Sequence, residues 1–192
     1  AVGSPDRINY SYDLSRGAIL QVWQGDFLDV TQMWHLRGTN QLAEPKGFSV
    51  SFHGDPDFMT LENKDMVWPD SIPSNIRFKP LGYEMKDNGL PVFLHQEEGT
   101  TISNSFKSSK DGRGLERTIS IKGNGDIWHK IAEGESIKQL EDGTFIVNNE
   151  SYFIDFSGNS GLDPVIRHSN GKDELILKIP TNSGNITYNI IW

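Results

Sequence analysis

The chain has 192 residues, 35% of them apolar, and its ten Phe, five Trp and five Tyr are enough to fill a real core. A formal net charge of -8 lacks the cationic footprint that nucleic acid demands, and the absence of cysteine excludes disulfides, thiolate metal sites, covalently attached haem and Cys nucleophiles. No apolar run approaches the length of a membrane-spanning helix.

Taken in chain order, the pattern is one of period-2 alternation. Ile8, Tyr10, Tyr12 and Leu14 alternate with polar residues, and Arg16-Gly17 turns the chain into an apolar run ending at Trp23. Phe48, Val50 and Phe52 alternate again, and the five prolines between Pro45 and Pro80 predict long loops and short edge strands across one end of the fold. Within them, Gly54–Lys64 is the best helical stretch, and Pro56 breaks it. Ile76 and Phe78 lead to Tyr83 and Met85, which Asp87-Asn88-Gly89 joins to Pro91–Leu94 as a hairpin. Further strands are predicted over Leu115–Ile121, Asp126–Ala132, Ser136–Leu140, Thr144–Val147 and Ser151–Phe156. A closing hairpin is predicted from Asp173–Ile179 and Ile186–Ile191. About a dozen short strands separated by Gly- and Asn-rich turns predict a single all-β domain, a large two-sheet antiparallel β-sandwich.

Function is expected where the chain departs from sheet composition. The segment Gly25–Gly38, GDFLDVTQMWHLRG, packs Asp26, Asp29, Trp34, His35 and Arg37 into a few residues. Two carboxylates beside an imidazole suit general acid–base work if burial moves a pKa toward neutrality, and an Arg nearby suits an oxyanion. The same residues equally suit turn caps and a surface ion pair. His53, Asp55 and Asp57, in HGDPD, offer donors for a hard metal, although Asp-Pro beside Gly is ordinary turn chemistry and no further ligands are indicated, so neither a metal nor a cofactor is expected. The alternating carboxylate motif of jelly-roll glycosidases is absent. Among the aromatics, Trp34 and Trp68 lie in loop-rich sequence beside charges and are the candidates for stacking on a sugar ring, with Trp68 expected to be exposed.

The opening stretch carries a resemblance. Ile8-Asn9-Tyr10 with Asp13, then Trp23, Gly25, Phe27-Leu28-Asp29, Trp34 and Arg37-Gly38 resemble a β-rich region of exported proteins from Bacteroidetes- and Planctomycetes-type bacteria. Those proteins also carry c-type cytochrome, sorbosone-dehydrogenase-like propeller or 3-keto-disaccharide hydrolase (glycoside-hydrolase-16-like) domains. The match covers roughly the first forty residues, and it assigns no catalytic role to any of these positions. It implies export and a link to sugar oxidation or keto-sugar breakdown, with the chain excised from or associated with a larger protein. The cytochrome or propeller portions are implied as partners.

Three functions follow as expectations. The first is a carbohydrate-associated accessory or binding module using Trp34 and Trp68. The second is a sugar-active hydrolase or lyase using Asp26, Asp29, His35 and Arg37. The third is a structural docking domain. A cleft at this segment favours the first two and a flat apolar patch the third.

Overall fold

The computed structural model describes residues 1–35, 42–157, 161–181 and 184–192. In chain order the elements are β1 (Ile8–Asp13), β2 (Ala18–Asp29), a short helix α1 (Thr31–His35), β3 (Glu44–Ser51), β4 (Phe58–Met59), β5 (Phe78–Met85), β6 (Pro91–Glu97) and β7 (Thr100–Ser108). They continue with β8 (Gly114–Lys122), β9 (Ile127–Gly134), β10 (Ile137–Gln139), β11 (Phe145–Val147), β12 (Tyr152–Asp155), β13 (Val165–Ser169), β14 (Lys172–Ile179) and β15 (Asn185–Ile191). The fold is the expected all-β antiparallel sandwich, but one of its layers is split. An eight-stranded sheet, β10-β11-β12-β15-β8-β7-β6-β5, faces a four-stranded sheet, β13-β14-β9-β4, and a three-stranded sheet, β1-β2-β3. One apolar cluster joins all three, with Ile102, Phe106, Ile119 and Ile190 from the large sheet meeting Ile8, Tyr10 and Val22 on one side and Phe58, Ile131 and Leu177 on the other. Tyr12 stacks on Phe93 across this interface, ring centroids 4.3 Å apart.

Turn chemistry sets the register. Between β6 and β7 only Glu98 and Gly99 remain, both with positive φ (48° and 83°), which is the two-residue turn that matches strand twist. The proline-rich region supplies the expected edge strands, β3, β4 and β5, and its long β4–β5 connection also covers a sheet face. Strands β9 and β14 carry apolar side chains on both faces, so Trp128 and Ile176 point away from the main core and need cover. Leu61, Trp68, Ile72 and Ile76 from the long connection between β4 and β5 supply it.

The β2–β3 pair outruns the sandwich. Val22 opposite Val50 is buried, whereas Gln24 opposite Phe48, two residues further on the same face, is exposed. Beyond that point the pair forms an arm ending in α1, and β2 extends to Asp29, past the predicted end at Trp23. Gly25 and Gly47 pair directly, and a Cβ on Gly47 would lie 1.9 Å from the Gln24 carbonyl oxygen, so the backbones cross where only glycine fits. Gly47→Ala is expected to cost about 1–3 kcal/mol in urea unfolding and to speed amide exchange along the arm. Unchanged stability and exchange would show that the close approach does not exist.

Candidate functional site

The arm holds most of the residues predicted to carry function. The Thr31 N–H donates to Asp29 Oδ1 at 2.8 Å and starts α1 directly after β2. One further contact ties this helix to β3, Gln32 Nε2 donating to Glu44 Oε1 at 3.2 Å, and at the end of β2 Asp29 Oδ2 lies 4.0 Å from Lys46 Nζ on β3. Trp34 and His35 complete α1, both exposed, and Trp34 retains 74% of its surface in water. Asp26 sits further back on β2 opposite Lys46, with Arg7 donating to its Oδ1 at 2.8 Å. Arg37 lies outside the described residues.

Asp29 does not match a general acid here. Hydrogen bonds from Thr31 hold the Asp29 carboxyl below the usual range, so it is an ionised acceptor at neutral pH, and a general acid needs the opposite shift. The Asp26 side chain is 70% exposed in its ion pair, and only a shallow surface depression, lined also by Ser4, Arg7, Asn9 and Phe27, adjoins it. The structure therefore brings Asp29, Trp34 and His35 to one end of the arm.

Trp68 is elsewhere, and the expectation of exposure is corrected. It is 4% exposed, packed with Met59, Trp128 and Ile176, and its indole N–H donates to the Pro56 carbonyl at 2.8 Å. Apolar surface left over on β9 and β14 draws it inward.

The titratable groups most altered by their surroundings lie in the core instead. Asp57 from the HGDPD turn is fully buried and pairs through Oδ2 with Arg117 Nη1 at 2.8 Å, while the Ile19 N–H donates to the same oxygen at 3.1 Å. Arg117 Nε and Nη2 donate to Asn104 Oδ1 at 3.0 and 2.7 Å, and Nη1 reaches Tyr188 Oη at 3.2 Å. His129 Nδ1 is 2.8 Å from the Asp57 carbonyl and its Nε2 is 2.9 Å from Tyr188 Oη. A carbonyl only accepts, so Nδ1 carries the proton and Tyr188 donates to Nε2. Burial, reinforced by Arg117, pushes the His129 pKa well down and keeps the ring neutral. Burial also pushes the Asp57 carboxyl up to about 6, and Arg117 works against that, leaving Asp57 ionised at neutral pH. These residues hold the sheets together; none lies on the surface.

Sequence reasoning missed this network, although a signal existed. Leu115, Arg117, Ile119 and Ile121 share one strand face, which places Arg117 at a core position by alternation alone. Its neighbour Asn104 also explains why β7 escaped detection, because a polar residue between Ile102 and Phe106 interrupts the apolar stripe. Asp55 and Asp57 are both claimed by cations, Lys130 and Arg117. Among the described residues no group of three or more His, Asp or Glu side chains is placed to hold a metal ion. Comparison of the chain with protein-family models, with curated proteins and with solved structures finds no match.

Glu97 supplies a test of the interior. It is fully buried on β6, accepts from the Thr60 N–H through Oε1, and leaves Oε2 without a partner. Burial pushes its carboxyl up from 4.5 to about 7. The folded protein then holds a proton that the unfolded chain has lost, so this stabilisation is complete below about pH 4.5 and disappears as pH rises through about 7. Glu97→Gln keeps the Thr60 contact without the charge. Chemical denaturation across that window should show wild-type stability falling by up to ~1.4 kcal/mol per pH unit relative to the variant. Parallel profiles for the two proteins would contradict the assignment.

Proposed function

We propose that this domain is a non-catalytic recognition module of an exported bacterial protein and that it takes carbohydrate on the β2–α1–β3 arm. The observation that carries the reading is the 74% exposure of Trp34, when Trp23, Trp68 and Trp128 are withdrawn to 1%, 4% and 8% and Trp192 is half-buried. An indole plane left in water suits the C–H face of a sugar ring, and polar groups at its edges suit the hydroxyls. The arm also carries polar side chains, among them Asp29, Gln32, His35 and Glu44. The ionised state of Asp29 fits an acceptor of sugar hydroxyls. The resemblance of the first forty residues to proteins of sugar oxidation and keto-sugar breakdown supports both the export and the ligand class.

Docking is the second reading, with the c-type cytochrome or propeller domain of the same system as partner. Favouring it are Leu42 and Phe48, 78% and 66% exposed on or beside the arm, since clustered exposed apolar side chains mark contact surfaces. One titration series separates the two. Calorimetry with an oligosaccharide panel is expected to show weak binding, on the order of millimolar to micromolar Kd, that Trp34→Ala abolishes and Phe48→Ser leaves intact. Silence across the panel, with binding of a cytochrome or propeller domain lost in Phe48→Ser, would replace the carbohydrate reading by the docking one.

A further inference from the structure

A second charged cluster lies under the loop that covers β9. Lys130 has only 1% of its side chain exposed, and three carboxylates converge on its Nζ: Asp55 Oδ2 at 2.6 Å, Glu133 Oε2 at 2.5 Å and Glu174 Oε1 at 3.3 Å. Two of the three have cations of their own. Glu133 Oε1 receives Lys172 Nζ at 2.7 Å, and Glu174 Oε2 receives Arg167 Nη2 at 2.6 Å. Among the described residues Lys130 is the one lysine or arginine paired with Asp55, so charge balance couples the two. Its turn is fixed on both sides, because the Trp68 indole N–H holds the Pro56 carbonyl and the Asp57 carboxylate is anchored on Arg117. The Trp68 ring, with its centroid 5.9 Å from Nζ, helps to close the site against water.

We propose that Lys130 Nζ and the Asp55 carboxyl condense into an intramolecular isopeptide bond. One proton leaves the ammonium, although the surrounding carboxylates outweigh burial and favour its charged form, and passes to the Asp55 carboxylate, giving neutral amine and neutral acid with no change in net charge. The amine lone pair attacks Cγ. The new N–C bond forms, a C–O bond breaks, and the departing hydroxyl takes a second Nζ proton and leaves as water. Glu133 and Glu174, both within reach of Nζ, relay these protons and end as they began. No oxidant or reductant is needed. The product removes one desolvated charge pair, and the two remaining pairs, Glu133 with Lys172 and Glu174 with Arg167, stay balanced. The bond would clamp the turn before β4 to the middle of β9 in a chain that has no cysteine for a disulfide.

Intact-mass spectrometry of the purified, folded full chain tests this directly. The wild type should be lighter than its sequence mass by one water, about 18 Da, and proteolysis should yield a branched fragment joining Asp55 to Lys130. Lys130→Arg should restore the full mass, and Asp55→Asn should lose ammonia, about 17 Da, in place of water. A folded wild type at full sequence mass overturns the proposal. So does a water loss that persists in Lys130→Arg or maps to the Asp-Gly sites at Asp111 or Asp142, where a cyclic imide gives the same mass.

Discussion

Asp57 is the residue on which the two layers of this sandwich depend. Its carboxylate pairs with Arg117 on β8 of the large sheet and accepts the Ile19 N–H from β2 of the three-stranded sheet, and its carbonyl receives His129 from β9 of the four-stranded sheet. One residue at the head of β4 thus contacts all three sheets. Such a tie costs a great deal to desolvate and gains strength from each polar atom around it that is satisfied. Asn104 and Tyr188 add partners for Arg117 and Tyr12 one for Asn104, while among the described residues Asp57 Oδ1 has no hydrogen-bond partner and only His53 Nε2 at 3.8 Å. Phe58 and Phe106 lie 5.4 and 5.3 Å from the guanidinium, walling it from water. The split of the facing layer follows from the same geometry. Two small sheets that do not pair with each other are both fastened to the large one through a shared polar centre as well as through apolar contact.

With the interior fixed in this way, the arm is the surface feature that carries Trp34. It exists because the stripe that begins as core at Val22 and Val50 continues past the edge of the opposing sheet, carrying Phe48 into water. Gly25 and Gly47 let the two backbones cross closely enough to hold the arm together at the point where packing against the large sheet ends. The strands of the arm run out of the scaffold sheet, which is how Trp34 on the short helix at its tip is presented at a defined place.

Much of the sheet structure was legible from alternation and turn residues. The hairpin at Asp87-Asn88-Gly89 and the strands around Leu115–Ile121 follow from apolar period and turn chemistry, and so do the last two strands. The closing hairpin is corrected: β14 joins the four-stranded sheet and β15 the eight-stranded one, so the two do not pair. What escaped did so where a polar side chain occupies a core position or an edge strand lacks a buried face. Strand β7 carries Asn104 inward to serve Arg117, and β13 is an edge with Ile166 37% exposed. The HGDPD turn read as surface chemistry because nothing local reveals that Arg117 and Lys130, far away in sequence, wait for its two carboxylates. Trp68 misled for the converse reason: charged and proline neighbours suggested solvent, while the surface it covers belongs to strands sixty residues and more downstream. At the arm, local sequence marked the segment and named Trp34 as a candidate but missed the extension of β2 past Trp23 and the helix α1.

The most direct measurement of this account is a double-mutant cycle on Asp57 and Arg117 followed by denaturant unfolding. Either Asp57→Leu or Arg117→Leu alone strands a buried charge and is expected to lose about 3–5 kcal/mol, whereas the double variant should lose markedly less than the sum. Additive losses would contradict the claim that this pair ties the sheets together.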